Sequence, residues 1–486
     1  MAGVETGGDV AQEKHSPVAL QGVSPQGSRD AALPHSRQDV AEIDASGDHR
    51  LPSRLFRVKS SGESGRSGLH PIQFLKIIWT SSSRVARAVN ILWPFVPAAL
   101  AVYYTQTGPS TLRFSLAYIA MVPCANLIGF AGAELAAKMP HMLGVLTETT
   151  IGSIVEIVLF LVLLFSTADD TKYYIIRAAI LGSILATMLL CLGLCFFAAG
   201  LRRETATFDS ALSEVGTGLL LMAGLGLAIP TIFQHSISLN IDDYGITLQD
   251  LDNRTTQISR VVSVLLLIAY IVFVWFQMRT HHGIYDAIFE HDEHRDLDKH
   301  KDKARDKLTL TECIISLIVS VALVTLIALA LVHEIEPVVE ESRISDPFMG
   351  LILVPLVEKA AEHLTALDEA WDNQINFALS HCIGSTIQTA MLNAPLVVIV
   401  AWGRNLPLAL SFEIFEIAIL ILAIITVGNY LRDQKSDYLE GFLCIITYIA
   451  IAVAAFYFPT ALKLQSHGEE AQGTEAGGHA ERSLFL

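Results

Sequence analysis

The chain has 486 residues, of which 52% are hydrophobic and 17% are charged, and its mean hydropathy is +0.47. This is too apolar for a soluble enzyme of that length, so we expect a polytopic membrane protein. The net charge of -16 argues against nucleic-acid binding. Six cysteines lie in or beside apolar runs without zinc-like spacing, and we interpret them as core thiols rather than disulfides or ligands: Cys124, Cys191, Cys195, Cys313, Cys382 and Cys444.

Residues 1–70 are rich in Ser, Gly, Pro, Gln, Asp and Arg and contain no signal-peptide core, which predicts a disordered cytosolic tail. Residues 71–111 are expected to form an amphipathic lead-in, PIQFLKIIW, and the first transmembrane helix. Each expected span is near the roughly 20 residues that a bilayer core requires. The eleven candidate spans are at about 87–105, 112–137, 142–166, 173–200, 213–234, 257–278, 311–333, 347–369, 374–402, 408–430 and 438–461.

Lys and Arg in the short connections indicate the orientation. A cytosolic N-terminus puts most of them on one side, including Lys138, Arg202, Arg203, Arg432 and Lys435. The membrane region then divides into 112–278 and 311–461, joined by a charged cytosolic linker, 279–310. The linker alternates acids, bases and histidines, which favours a solvated, partly helical segment over a regulatory cation-sensing element. Residues 462–486 are expected to form a polar C-terminal tail.

The two halves contain the same pattern, a mid-span glutamate followed by a Gly-Ser motif on the next span. Glu156 precedes the motif at 182–187 by 26 residues, and Glu362 precedes the motif at 384–389 by 22. Five spans separate the two copies, which indicates inverted-topology repeats with a substrate site near the midplane. We therefore predict an all-α polytopic membrane protein of about 11 transmembrane helices, built as two inverted five-helix repeats plus one N-terminal helix.

Small residues of these motifs, Gly182 and Gly384 among them, would let helices approach closely. The polar side chains of the motifs are candidates for lining an ion path, and packing alone is the alternative. They are Ser183, Thr187, Ser385, Gln388 and Thr389.

An ionised carboxylate inside a bilayer costs several kcal/mol, so such residues are normally paired or functional. Carboxylates, hydroxyls and an amide are oxygen ligands that suit a hard cation such as Ca²⁺. Glu156 and Glu362 could also take up protons when the metal leaves, because burial raises a carboxyl pKa. A site that holds either a metal ion or protons is the centre of an antiporter. The structural alternative is that both glutamates only pair with basic residues. Lys359 supports this alternative for Glu362, because a residue three positions earlier lies on the same helical face.

At these residues the chain resembles the cation/proton exchanger family of Ca²⁺/H⁺ antiporters, within the calcium:cation antiporter superfamily, over about residues 90–460. The first family motif reads roughly L-N-A-T-x-G-N-A-x-E, and this chain has TETTIGSIVE (147–156). The second reads roughly P-x-x-G-N-A-A-E-H-x-T-A, and this chain has PLVEKAAEHLTA (355–366). The resemblance implies a divergent fungal vacuolar-type exchanger that uses the proton gradient to remove cytosolic Ca²⁺. It also implies a charged cytosolic helix between the repeats.

Carried over by position, Glu156 and Glu362 would bind the cation and carry the protons. His363, Ser183, Ser385 and Gln388 fall on motif positions that line the family's pathway. The chain departs from the motifs at several positions. Ser153 replaces the asparagine before the first glutamate, Glu148 replaces an earlier one, Ala186-Thr187 replaces a Ser-Asn pair, and Glu358-Lys359 replaces a Gly-Asn pair. The expected cation ligands are Glu156, Glu362, Ser153, Ser183, Thr187, Ser385, Gln388 and Glu358, with Lys359 and His363 modulating them.

The positive charge of Lys359 beside Glu362 leaves three functions open, because a unit charge at about 4 Å is worth roughly 4 kcal/mol at an effective dielectric of 20. In the first, Glu358 compensates for Lys359 and the chain exchanges Ca²⁺ for H⁺. In the second, Lys359 replaces one charge of the ion, which favours Na⁺ or K⁺, and in the third the chain is a transport-inactive regulator. An enzyme is not expected, because the histidines and carboxylates of 291–300 lack metal-motif spacing. No cofactor is expected, since the ions are substrates. The expected partners are bilayer lipids, cations and protons, without nucleic acid, and a homo-oligomer stays open.

Overall fold

A computed structural model describes residues 66, 68–80, 84–166, 171–297, 299–342 and 344–459. The predicted tails lie outside these ranges, apart from residue 66 and residues 68–70. The described chain is helical almost throughout. Its helices are α1 (Pro71–Thr80), α2 (Arg84–Val89), α3 (Phe95–Thr105), α4 (Ser110–Ala136), α5 (His141–Gly152), α6 (Ile154–Leu164), α7 (Thr171–Leu185), α8 (Leu192–Arg202), α9 (Ser210–Ser238), α10 (Ile241–Tyr244), α11 (Leu248–Trp275), α12 (His282–Arg295), α13 (Lys299–Ala304), α14 (Leu310–His333), α15 (Ile335–Glu341), α16 (Asp346–Phe348), α17 (Val354–Glu358), α18 (Ala360–Trp371), α19 (Ile375–Gln388), α20 (Ala394–Gly403), α21 (Ile414–Leu431) and α22 (Tyr438–Tyr457).

Shorter elements connect or interrupt these helices. A 3₁₀ turn covers Asn90–Leu92, and π-helical segments cover Ala186–Cys191, Phe276–Thr280, Met349–Leu353 and Thr389–Asn393. Two-residue strands, β1 (Ala206–Thr207) and β2 (Lys435–Ser436), pair antiparallel with Ala206 opposite Ser436. This ribbon joins the loop after α8 to the loop before α22, so it ties the two halves of the chain together at one end.

Ten helices of the described chain are long and apolar enough to cross a membrane. They coincide with ten of the eleven predicted spans, and the chain is an all-helical integral membrane protein as predicted. The remaining predicted span, 347–369, is helical but interrupted, and it carries Glu358, Lys359 and Glu362 in its middle. These charges keep it from resembling an apolar span in composition, although Glu358 and Lys359 are only 2% and 1% exposed.

The internal repeat is visible in the order and packing of the elements. Helices α4 and α14, which begin the two halves, pack along each other, as do α9 and α21. A π-helical segment follows the Gly-Ser motif in each half, at Ala186–Cys191 and at Thr389–Asn393. Such segments widen one turn of an α-helix and frequently occur at functional sites. In this chain they bring polar side chains of the two motif helices to the centre of the bundle.

The charged linker is not solvated along its whole length. Helix α12 buries Tyr285, Ile288, Phe289 and Asp292 and packs against α5 and α19. The carboxylate of Asp292 accepts hydrogen bonds from the backbone N–H of Asn376 at 2.7 Å, from its side-chain amide at 2.9 Å and from the backbone N–H of Phe377 at 3.3 Å. It therefore accepts hydrogen bonds from backbone N–H groups at the start of α19, which have no acceptor within the helix. Burial raises the pKa of Asp292 above its usual value.

The apolar core runs through both halves. All six cysteines are buried, as expected of core thiols, and none forms a disulfide within the described residues. Glycines allow close helix crossings at selected positions. A Cβ on Gly182 would collide with the backbone carbonyl of Leu351 and with Pro355, so this glycine is required where α7 meets the second half. Gly384, its counterpart, has open space around it. Close packing was thus correctly predicted for Gly182 and wrongly for Gly384, because Gly384 borders a cavity that α9 and α12 also line.

Candidate cation site

Two interrupted helices supply the central carboxylates. Helix α5 ends at Gly152 and α6 begins at Ile154, while α17 ends at Glu358 and α18 begins at Ala360. The single residues between them are Ser153 and Lys359. Glu156 and Glu362 are therefore each the third residue of the helix that follows the interruption. A carboxylate in the first helical turn is favoured by the unpaired N–H groups and by the positive end of the helix dipole.

Lys359 lies between the two glutamates. Its Nζ is 2.8 Å from Glu156 Oε2 and 3.2 Å from Glu362 Oε2, and it donates a hydrogen bond to Ser385 Oγ at 3.1 Å. The side chains of Lys359 and Glu156 are each 1% exposed, whereas that of Glu362 is 17% exposed. The lysine is thus a tethered cation at the point where the two repeats meet. It lies beside Glu362, as predicted, and it also pairs with Glu156.

Polar side chains of the second motif helix complete this arrangement. Thr389 Oγ1 and Asn393 Nδ2 donate to Glu156 Oε2 at 2.9 Å and 2.8 Å, and Ser385 Oγ donates to Glu362 Oε2 at 2.6 Å. Ser385, Thr389 and Asn393 follow one another at intervals of four residues. They consequently share one face of the continuous helical run formed by α19, the π-helical segment and α20. The second repeat therefore supplies all these hydrogen-bond partners of Glu156.

Several oxygen atoms at the site stay without a hydrogen bond after these contacts are counted. They are Glu156 Oε1, both carboxylate oxygens of Glu358, Asn393 Oδ1 and Ser183 Oγ, all of them buried. Ser183 faces Glu358, but the two groups are outside ordinary hydrogen-bond geometry. Buried acceptors without a partner cost free energy, and those of a carboxylate cost the most. The set consists of hard oxygen donors, which is the ligand type that protons or a hard cation would satisfy.

Among the described residues, the other predicted ligands make no hydrogen bond to the two glutamates. Thr187 Oγ1 lies 3.5 Å from His363 Nε2, so these two contact each other rather than Glu156 or Glu362. The hydroxyl of Ser153 donates to the backbone carbonyl of Thr149 at 3.0 Å, which turns it back into its own helix. The Nε2 of Gln388 is buried without a hydrogen bond to the described residues. The structure thus brings together Glu156, Glu362, Lys359, Ser385 and, next to them, Glu358 with Ser183.

A small cavity of about 30 Å³ reaches this site. Glu358, Glu362, Ser385, Thr187 and His363 line it, together with Glu148 and His381 farther along. Glu156 is not among the lining residues, which agrees with its 1% exposure. An ion that enters the cavity therefore reaches Glu362 and Glu358 before it reaches Glu156.

Gly152 shapes the inner end of the cavity. A Cβ built at this position would lie 2.6 Å from Glu362 Oε1, so a larger residue would push that carboxylate away from the interruption between α5 and α6. This contact joins the first motif of one repeat to the glutamate of the other. Gly152 is the family-motif glycine that TETTIGSIVE retains, and the structure gives it a steric reason.

Asn393 and the pair Glu148 and His381 were missed as site residues by sequence reasoning. Asn393 was recognisable as the third member, after Ser385 and Thr389, of a series of polar residues at intervals of four. Its position in the π-helical segment could not be deduced from the sequence. His381 gave no motif signal, because it precedes the Gly-Ser motif at a position where an apolar residue would fit equally well.

Comparisons with known proteins agree with this architecture. Residues 109–279 and 313–457 match the family described as "Sodium/calcium exchanger protein". The chain is similar to a vacuolar calcium ion transporter of Schizosaccharomyces pombe, with 30% identity over 380 residues that cover 78% of this chain and 87% of the relative. It is also similar to vacuolar cation/proton exchanger 2 of Oryza sativa subsp. japonica, with 30% identity over 372 residues, 76% of this chain and 81% of the relative.

Solved structures share the fold. The Ca²⁺/H⁺ antiporter protein YfkE matches with a TM-score of 0.59 and 23% identity, over 76% of this chain and 100% of the other. An H⁺/Ca²⁺ exchanger, CAX, matches with a TM-score of 0.53 and 12% identity, over 77% of this chain and 88% of the other. At these identities the likeness concerns the fold alone.

Proposed function

Because this chain belongs to the sodium/calcium exchanger protein family, a family of cation exchangers rather than enzymes, we propose that it is a secondary antiporter that exchanges Ca²⁺ for H⁺ across an intracellular membrane. In this proposal Glu156 and Glu362 bind the cation and the protons in turn. Access to them alternates between the two sides of the membrane as the repeats move.

The observation that supports Ca²⁺ is the charge and pairing of the buried site. Three carboxylates, Glu156, Glu358 and Glu362, face one ammonium group, Lys359, which leaves two negative charges when all of them are ionised. Two charges are balanced by one divalent cation or by two protons. The buried oxygens without hydrogen bonds supply part of the six to eight ligands that Ca²⁺ takes. Glu358 therefore restores the charge that Lys359 would otherwise cancel.

The cavity suggests the order of events. Ca²⁺ would first meet Glu362 and Glu358, which line the cavity. It would reach Glu156 only when Lys359 gives up its contact with Glu362 or Glu156, since the ammonium lies between the two carboxylates. Protons that bind these carboxylates from the opposite side would release the metal. Ser385, Thr389 and Asn393 would hold the carboxylates in place during the exchange.

A second candidate is exchange of Na⁺ or K⁺ for H⁺. The observation that favours it is the short distance from Lys359 Nζ to both glutamates, 2.8 Å and 3.2 Å. If the ammonium stays there throughout the cycle, it takes the place of one charge of the substrate. In the third reading the same contacts form a permanent ion-pair cluster, and the chain transports nothing.

The names of the relatives support a vacuolar membrane as the location, and the distribution of Lys and Arg supports a cytosolic N-terminus. The proposal requires bilayer lipid, cations and protons as partners and no resident cofactor or nucleic acid. Each chain contains a complete pair of glutamates, so a homo-oligomer is compatible with the mechanism without being required by it.

The test is cation uptake into vesicles that contain the purified full chain, under an imposed pH gradient. The proposal expects Ca²⁺ uptake that depends on the gradient and is abolished by Glu156→Gln and by Glu362→Gln. Glu340→Gln is the matched control, because it removes an exposed glutamate outside the cavity and should leave uptake unchanged. Uptake of K⁺ or Na⁺ without Ca²⁺ would favour the second candidate. Absence of any cation-dependent proton flux would favour the third.

A further inference from the structure

A second group of titratable side chains lies in the same cavity, away from the glutamates of the central site. His381 Nδ1 is 2.8 Å from Glu369 Oε2, and His381 Nε2 is 3.7 Å from Glu148 Oε2. The three residues belong to α19, α18 and α5. Their side chains are 9%, 15% and 21% exposed, in the order His381, Glu369 and Glu148. The proposed Ca²⁺/H⁺ cycle at Glu156 and Glu362 makes no use of them.

This group lies on one side of the central site. Glu148 precedes Glu156 by eight residues, His381 precedes Ser385 by four, and Glu369 follows Glu362 by seven. At 1.5 Å per helical residue, the offsets along the helices are roughly 6 to 12 Å. Because α18 and α19 form a hairpin and run in opposite directions, Glu369 and His381 are displaced from the central site in the same direction. They lie toward the end of the bundle where α12 packs on α5 and α19.

The imidazole of His381 lies between two carboxylates in an arrangement that allows proton transfer. Its Nδ1 is held by Glu369, while its Nε2 is buried without a hydrogen bond and faces Glu148 across a gap of 3.7 Å. Ionisable groups within a membrane protein's interior are expensive and are characteristic of proton relays and ion paths. A histidine with one carboxylate that fixes its ring and a second within reach of its free nitrogen can pass a proton by a small movement.

Within the part of the chain that the structure describes, the charged groups that act on His381 are Glu369 and Glu148, and the ring's other titratable neighbours are thiols. Helix α12 contributes Asp292, which is held at Asn376 near the start of α19. Helix α9 meets α19 where Gly216 faces Ile383. The thiols near the ring come from α8, from the π-helical segment before it and from α19 itself: Cys195, Cys191 and Cys382.

We propose that Glu148, His381 and Glu369 form a second proton-binding site, through which protons pass between the central glutamates and the solution on the α12 side. The inference rests on the proposed antiport, because only a proton-coupled cycle needs such a path. In the transfer, the N–H bond at His381 Nε2 breaks as an O–H bond forms on the Glu148 carboxylate. The ring and the carboxylate both become neutral, and Glu369 keeps its hydrogen bond to Nδ1. The reverse step recharges the ring.

The first experiment measures proton and Ca²⁺ flux in vesicles while the pH on the α12 side is varied. His381→Gln keeps a donor for Glu369 but cannot carry a proton, so exchange should fall by about tenfold or more and lose its dependence on the pH of that side. Ca²⁺ binding to the detergent-purified variant should stay within about twofold of wild type, since His381 contacts Glu148 and Glu369 and neither of the central glutamates. His291→Gln, on the exposed face of α12, is the matched control. An unchanged pH profile in His381→Gln would overturn the proposal.

A second measurement separates this proposal from the antiport on which it rests. Nitrogen-15 NMR of the histidine rings in the purified full chain, with the His381 signal assigned by its loss in His381→Gln, should show a ring that titrates. Its midpoint should move in Glu148→Gln and in Glu369→Gln. If the wild type moves no protons but this titration is present, the antiport fails and the proton-binding site stands. A His381 ring that keeps one protonation state throughout would sink the second site, whatever the transport result.

Discussion

Glu156 and Glu362 occupy matching positions in the two repeats, yet their surroundings differ. Glu156 is 1% exposed and receives hydrogen bonds from Thr389 and Asn393, both in the second repeat, besides the ion pair with Lys359. Glu362 is 17% exposed, lines the cavity and is paired by Lys359 and Ser385 of its own repeat. The first repeat thus contributes one carboxylate and the close approach at Gly152, and the second contributes most of the polar partners.

This difference suggests a division of roles between two residues that the sequence presents as equivalent. The partly exposed carboxylate, Glu362, can exchange its cation or proton with the cavity directly. The buried one is reached only through a rearrangement of Lys359, because the lysine and two hydrogen-bond donors converge on the same oxygen, Oε2. Glu156 would therefore control how firmly the ion is held, and Glu362 how quickly it is loaded.

The largest expected effect follows from removing one charge at each position. Glu156→Gln leaves the buried ammonium of Lys359 without its shortest ion pair, and loss of one partner of a buried pair costs about 3 to 5 kcal/mol. Glu362→Gln should cost less, about 1 to 2 kcal/mol, because its partly exposed side chain can be replaced by water. Thermal unfolding of the purified variants in detergent gives the comparison. Equal destabilisation would remove the distinction between a buried and an accessible glutamate.

Lys359→Asn tests whether the lysine restricts the ion. Removal of the ammonium leaves three carboxylates without a tethered cation, so the apparent affinity for Ca²⁺ should rise by about tenfold or more, as expected for loss of a nearby like charge in a partly screened site. Ca²⁺ titration of the purified protein measures it. The double change Glu358→Gly with Lys359→Asn preserves the net charge of the site and should bring the affinity back towards wild type. An unaltered affinity in the single variant would indicate that Lys359 leaves the site before the ion binds.

Gly152→Ala tests the contact between the repeats. The added Cβ would lie 2.6 Å from Glu362 Oε1, so the carboxylate must move and cation binding should weaken. If the overpacking cost of about 1 to 3 kcal/mol falls on the bound position of the carboxylate, the affinity drops by that amount. Gly384→Ala is the matched control, because a Cβ there meets nothing within 4 Å. Ca²⁺ binding measured side by side in the two variants decides the matter. Similar losses in both would mean that contact with Glu362 does not explain the effect.

The sequence was sufficient for the membrane helices and the two glutamates, because both leave local signals. Long apolar runs predicted ten helices that the structure contains, and a charged residue within such a run identified Glu156 and Glu362. The repeated Gly-Ser motif located the helix that carries Ser385 and Thr389. Each of these inferences depends on residues that are near one another in the chain.

What the sequence withheld depends on rotation and on contacts between distant segments. The three-residue spacing predicts that Lys359 lies on the same helical face as Glu362. It does not predict the ion pair between Lys359 and Glu156, which is 203 positions away in the chain. Ser153 and Ser183 each follow a glycine, yet Ser153 bonds to its own helix while Ser183 faces Glu358. The composition of 279–310 predicts a solvated linker. Its charged residues hide a buried face on α12, because only four residues form that face.

The smallest expected effect concerns the support of the second repeat's motif helix. Asp292→Ala leaves two backbone N–H groups at the start of α19, those of Asn376 and Phe377, without their acceptor, which should cost about 1 to 2 kcal/mol of stability. Glu290→Ala, on the exposed side of the same helix, is the control for loss of a linker charge.

The pH dependence of that difference has a definite sign. Because burial raises the pKa of Asp292, the folded chain binds its proton at a higher pH than the unfolded chain does. Unfolding free energy therefore falls as the pH rises through this window, and the stability of wild type over Asp292→Ala should be greatest near the unfolded pKa of about 3.9 and smallest at neutral pH. Thermal unfolding of both proteins across this range measures the trend. A stability difference that grows toward neutral pH would mean that ionised Asp292 is favoured at the start of α19, and that anchoring by α12 does not depend on a desolvated carboxylate.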